Sequence, residues 1–113
     1  MKQKRVLRRR RANVDIEAVI SYYLREAGAE VASDFVTRLE EVILSISRMP
    51  AAGSERYGQQ LQIAGMRHWL MQRFPYLVFY IEKTDHVEVV RVLHERMDIS
   101  SQLDDPEGLR PIS

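Results

Sequence analysis

From residue 13 onward the apolar positions take the three-and-four spacing of one helix face: Ile16, Val19, Ile20, Tyr23 and Leu24 form a single stripe. Gly28 ends it, because glycine takes the left-handed conformation needed just past a helix C-terminus. A longer stripe follows at once through Ala32, Phe35, Val36, Leu39, Val42, Ile43 and Ile46, with Glu30, Asp34, Arg38, Glu41 and Arg48 elsewhere. Pro50 closes it. Asn13 is the expected N-cap of the first helix, and Asp15 and Glu17 suit the positive end of its dipole. Two helices joined through a few residues around Gly28 lie antiparallel, and their apolar side needs a sheet to cover.

The remaining segments supply that sheet. Val6 and Leu7 stand among basic residues and predict a short edge strand with a charged exposed face. Residues 51–58 contain two glycines and no period, which predicts a connecting loop. Strands are predicted at 60–63, 66–73, 76–83 and 86–93, bounded by turn chemistry at Ala64-Gly65, Phe74-Pro75 and Thr84-Asp85. In the last of them Val87, Val89, Arg91 and Leu93 alternate with Glu88, Val90, Val92 and His94, so both faces are largely apolar and the strand is central. The predicted class is α+β: an N-terminal strand, an antiparallel helical hairpin, then a twisted, mainly antiparallel sheet. Residues 1–103 form one domain, and 104–113, with two prolines and little apolar content, read as a loose C-terminal tail.

Composition narrows the possibilities. A chain of 113 residues with 45% hydrophobic content has room for one domain and not two. The absence of cysteine removes disulfides, thiolate metal sites and cysteine nucleophiles. No apolar run approaches the roughly 18 residues of a membrane span, and the N-terminus lacks the apolar segment of a signal peptide, so a cytoplasmic protein is expected. The net charge of +1 conceals an asymmetry. Lys2, Lys4, Arg5, Arg8, Arg9, Arg10 and Arg11 place seven of the seventeen basic residues within the first eleven, leaving ten against sixteen acidic ones in the rest. Such a stretch either attracts nucleic acid or an acidic partner, or keeps an edge strand soluble.

Candidate chemistry concentrates in the strand region: Arg67, His68, Trp69, Arg73, Tyr76, Tyr80, Arg91, His94, Glu95 and Arg96. Strand parity puts Arg67, Trp69, Met71 and Arg73 on one face, and Arg91 on the face opposite His94. Arginines on adjacent strands can converge on an anion through their rigid forks of donors, or can pair with Glu88, Glu95 or Asp98. His94, at the end of a strand, could act as acid, base or phosphate ligand near neutral pH. His68, His86 and His94 make no metal motif, so no metal and no cofactor are expected. There is no glycine-rich phosphate loop and no nucleophile elbow.

The order of elements, together with particular runs of residues, resembles the ParE/RelE superfamily of toxins from type II toxin–antitoxin modules. The resemblance rests on Asp15-Ile16 followed by Tyr22-Tyr23, MPAAG at 49–53, GMRHWLMQRFPYLVFYIE at 65–82 and VEVVRVLHERMDI at 87–99. It spans residues 6–103 and leans toward the ParE branch, in which RVLH followed by an Asp-Ile turn is usual.

The resemblance implies one fold with two activities. RelE-like members cleave messenger RNA on the ribosome. ParE-like members block DNA gyrase without known chemistry of their own. A ribonuclease would draw on Arg67, Arg73, Arg91 and His94, with Glu55 or Glu95 as the carboxylate base. The lysines of the RelE pattern are missing, since only Lys2, Lys4 and Lys83 occur, and no aromatic residue follows Tyr80. A gyrase inhibitor that is not an enzyme is therefore the preferred expectation, with Arg67, Trp69, Arg73, Arg91, His94 and Arg96 as target contacts. RNA cleavage and a non-toxic binding module are the alternatives. The resemblance also implies a hetero-oligomer with a cognate ParD-like antitoxin lying over Tyr22, Leu24, Val31, Phe35, Arg67 and Arg73, with DNA contacted only through that complex.

Overall fold

The basic N-terminal segment enters the sheet directly. Arg5–Arg8 forms β1, an edge strand that pairs in parallel with the start of the last strand, Val6 opposite Val87. The computed structural model describes residues 3–103, so the tail expected from Asp104 lies outside the described residues. The chain continues through α1 (Arg10–Glu26), α2 (Ala29–Arg48), a 3-10 turn (Pro50–Ala52), α3 (Arg56–Gln60), β2 (Met66–Leu70), β3 (Tyr76–Glu82), β4 (His86–His94) and α4 (Ile99–Leu103). The sheet order is β1-β4-β3-β2, with β3 antiparallel to both its neighbours. The α+β class, the helical hairpin and the central last strand are as the periodicities require.

Both sheet faces are covered. On one, Ala12, Ile16, Phe35, Leu39, Val42 and Ile46 of the helical hairpin pack on Val78, Tyr80, Val87, Val89 and Val92. On the other, Ile63, Met66, Leu77, Phe79, Val90 and Leu93 make a smaller core closed by Ile99 and Leu103 of α4. Each such aliphatic or aromatic side chain taken from water contributes about 1.5–3 kcal/mol before chain entropy is set against it.

Strict alternation along β4 does not hold. Phe79 faces Arg91 while Tyr80 faces Val89, leaving Val90 as the extra residue of a β-bulge. Val87, Val89 and Val92 thus join the helix-side core, and Val90 and Leu93 the other.

Three boundaries differ from the sequence expectation. The first helix begins at Arg10 rather than behind an Asn13 cap, because β1 runs straight into it: the Arg9 N–H binds the Val89 carbonyl at 2.9 Å, and the Arg9 carbonyl accepts the Asn13 N–H at 3.1 Å. The segment 60–63 is not a strand. Helix α3 starts within the stretch expected to be a loop and runs into this segment, its ladder ends with the Ile63 N–H on the Gly58 carbonyl at 2.8 Å, and Gln62 turns the chain at φ 56° so that Ile63 plugs the second core. A side chain at Gly58 would collide with the Met66 carbonyl, so the helix lies directly on β2. Strand β2 ends at Leu70, and Arg73 sits in the following turn at φ 70°, off the face that parity assigned to it.

Candidate target-contact and partner-contact surfaces

Beyond Val89 the outer edge of β4 is left open, since β1 ends at Arg8, and α1 fills the gap with a carboxylate. Asp15 Oδ2 accepts the Val92 N–H at 2.9 Å and Arg91 Nε at 2.8 Å, and its Oδ1 accepts Arg91 Nη2 at 3.1 Å. Arg91 Nη1 donates to the Gln102 carbonyl of α4 at 2.9 Å. With 4% of its surface exposed, Arg91 ties α1, β4 and α4 together from inside. It is not the open contact residue that the arginine count suggested.

Arg67 is also engaged. Its Nη1 donates to the Gly53 carbonyl at 2.9 Å, and its Nη2 pairs with Glu55 at 3.1 Å. Opposite it on β3, the Tyr80 hydroxyl donates to the Pro50 carbonyl at 2.8 Å and accepts the Gly53 N–H at 3.0 Å. Burial raises the pKa of that hydroxyl, and the Gly53 N–H pulls the other way. Arg67 and Tyr80 therefore pin the segment after α2 onto the sheet.

At the end of β4, the His94 ring stands edge-on to Tyr76, centroids 5.2 Å apart, and its Nδ1 accepts the Arg96 N–H at 3.0 Å. Tyr76 continues into a cluster with Tyr23, Phe35 and Phe74. Burial, then Tyr23, pushes its hydroxyl up to about 12, so it stays protonated. Trp69 is half-buried against the helix-side core, while Arg73 and Arg96 are exposed.

Of the expected partner-contact residues, Tyr22 and Leu24 are half exposed, Val31 packs partly against the core and Phe35 is fully buried within it. Residues the sequence reading undervalued are Asp15, read as a dipole partner and as part of the resemblance, and Arg56 and Tyr57 on the far sheet face, where the candidate His68 also stands. The local sequence gives no sign that Asp15 faces β4, since 76 residues separate it from Arg91.

The family model described as the ParE toxin of the type II toxin-antitoxin system, parDE, matches residues 6–99. The chain belongs to the ParE toxin family. Ten chains of solved structures match it. One, from the chromosomal ParDE TA system of P. aeruginosa, aligns with a TM-score of 0.68 at 19% identity, covering 81% of this chain and 96% of that one. At that identity the likeness is one of fold. No curated protein matches in sequence.

In this ParE chain the quoted runs have identifiable structural tasks. Gly65 of the Gly-x-Arg run turns at φ 74° into β2 and delivers Arg67 to Gly53. Asp98 of the Asp-Ile turn accepts the Ser101 N–H at 3.3 Å and its hydroxyl at 2.8 Å, capping α4, and these bonds hold its carboxyl below the usual range. Among the described residues of this ParE protein no His, Asp and Glu group is placed to hold a metal, and no helix is long and apolar enough to cross a membrane.

Proposed function

We propose that the protein is the toxin of a type II toxin–antitoxin pair, that it acts in the cytoplasm by blocking DNA gyrase, and that a cognate ParD-like antitoxin neutralises it. The observation that carries the choice of gyrase over RNA cleavage is the dispersal of the ribonuclease set. Arg91 is sealed against Asp15, Arg67 is bound to Gly53 and Glu55, Arg73 lies in a turn and His94 rests on Tyr76. General acid–base chemistry needs its groups within hydrogen-bond reach of one reacting phosphate. A contact surface has no such requirement. In this reading Trp69, Arg73, His94 and Arg96 meet the target, and Arg67 and Arg91 hold the strands that present them. The antitoxin covers Tyr22, Leu24 and Val31, and its acidic residues are steered by the exposed Arg5, Arg8 and Arg10 beside β1.

The test is a supercoiling assay with purified toxin. Gyrase should lose supercoiling activity, trap cleaved DNA and recover when the antitoxin is added first, while translated messages stay intact. Unimpaired gyrase at excess toxin would refute the proposal, and cleaved messages that become intact in His94→Ala would replace it with RNA cleavage.

A further inference from the structure

On the sheet face away from the helical hairpin, a cleft of about 480 Å³ lies between α3, the ends of β2 and β3, and the turn after β4. Its floor is the cross-strand pair Leu70 and Leu77, and Leu70 is 53% exposed, unusual for a large apolar side chain on a strand. Arg56 from α3 and Arg96 from beyond β4 line it. Arg56 lies over the Tyr57 ring at 4.8 Å, and neither guanidinium makes an ion pair among the described residues. His68 completes the wall. Its ring is wedged against Tyr57 and Phe79, burial and then Arg56 lower its pKa from the ordinary 6.5, and its buried Nδ1 has no hydrogen-bond partner among the described residues.

The backbone beside this cleft is also unfinished. Strand β2 is the second edge of the sheet. His68 directs both of its main-chain groups outward, exchanging two 2.9 Å bonds with Ser54. Two residues on, Leu70 has the same outward phase, but in the antiparallel register its opposite number is Ala52, which belongs to the 3-10 turn, and no backbone partner among the described residues meets its outer edge. An extended segment that continued the ladder from Ser54 toward Leu70 would lie along the cleft.

We infer that the outer edge of β2 at Leu70 is a docking site for an extended segment of a partner protein carrying an acidic residue two positions from an apolar one. That spacing points both side chains to one face, the apolar one onto Leu70 and Leu77 and the carboxylate between Arg56 and Arg96. Glu95 on the same rim argues against a polyanion such as nucleic acid, for it would repel a continuous row of phosphates while tolerating one paired carboxylate. The site is independent of whether gyrase is the target, and its partner is defined by this chemistry alone.

The experiment uses the full chain and a fluorescent octapeptide of alternating threonine and valine with one aspartate two positions from a leucine. The expected result is saturable binding, weakened at least tenfold in Arg56→Ala/Arg96→Ala and in the peptide's asparagine version, with the Leu70 amide becoming protected from hydrogen exchange. Both arginines are exposed, so an unchanged thermal midpoint confirms that the variant is folded. Absence of binding, binding indifferent to the two arginines, an unprotected Leu70 amide, or tighter binding of a single-stranded oligonucleotide of equal length would each overturn it. Because Arg96 is also a proposed target contact, gyrase is followed separately in a supercoiling assay on Arg56→Ala alone.

Discussion

Asp15 holds Arg91 through both carboxylate oxygens, at 2.8 and 3.1 Å, and uses one of them to bind the Val92 N–H as well. One side chain of α1 thereby satisfies the bulged strand where its neighbouring strand has run out. Removing Asp15 strands the more deeply buried charge, so Asp15→Ala should cost about 3–5 kcal/mol, while Arg91→Met should cost distinctly less, because the Asp15 carboxylate it leaves behind keeps the Val92 N–H and is 13% exposed against 4% for Arg91. Denaturant unfolding of the two variants decides it, and equal losses would contradict the pairing.

Gly53 and Tyr80 form a second tight joint. A Cβ at position 53 would run into the Tyr80 hydroxyl, with ring carbons at 2.9 Å, so Gly53→Ala should lose about 1–3 kcal/mol. Tyr80→Phe should lose about 1–3 kcal/mol by leaving the Gly53 N–H and the Pro50 carbonyl without their shared partner. Combined, the two should cost less than their sum, since deleting the hydroxyl makes room for the methyl. A strictly additive double-mutant cycle would argue against the contact.

Arg73 occupies a left-handed conformation at φ 70° and is exposed. Arg73→Gly should therefore stabilise the fold, by at most about 1 kcal/mol, because glycine adopts that conformation without the Cβ penalty. If Arg73 contacts the target as proposed, the same substitution weakens gyrase inhibition while stability rises. Parallel melting and supercoiling measurements separate the two effects, and a variant that inhibits as well as the parent would remove Arg73 from the contact surface.

At the β1 edge, His86 bridges Asp85 at 2.7 Å and Glu88 at 2.8 Å, and Glu88 also binds Arg9 at 2.7 Å. Asp85, then Glu88, raise the His86 pKa above its ordinary 6.5. Its contribution is fully present below 6.5 and is lost as pH rises through the raised value. The carboxyls of Asp85 and Glu88 are lowered from 3.8 and 4.5, by the His86 hydrogen bond first, so theirs is present above those values and lost on acidification. The stability difference between the parent and His86→Ala should be greatest between about pH 4.5 and 6.5 and should shrink toward alkaline pH. A difference that stays flat to about pH 9 would show that the bridge contributes nothing.

The helical hairpin and the central last strand were legible because long stripes such as Phe35 to Ile46 and the doubly apolar run at 87–93 admit one reading each. Residues 60–63 were misread because four residues cannot separate a strand from the exit of a short helix, and what decides them is Ile63 finding a core built mostly from later residues. The bulge at Val90 has no local signature, yet it sets where Arg91 points. The arginines expected to converge were visible as residue types, while their partners Asp15, Gly53 and Glu55 lie 12 to 76 residues away and become apparent only through the fold.

The parallel pairing of β1 with β4 joins residues 5–8 to 86–89, so the first strand to be synthesised has its place in the sheet only once the last strand exists. Closing so long a loop is slow compared with forming the helical hairpin, which needs only local contacts. A ribosome-bound chain lacking β4 would carry a folded hairpin with its apolar side uncovered and no edge for β1 to join. The sheet thus closes only once β4 is available, and the uncovered hairpin of a chain lacking it is where assisted folding or early capture by another protein would act.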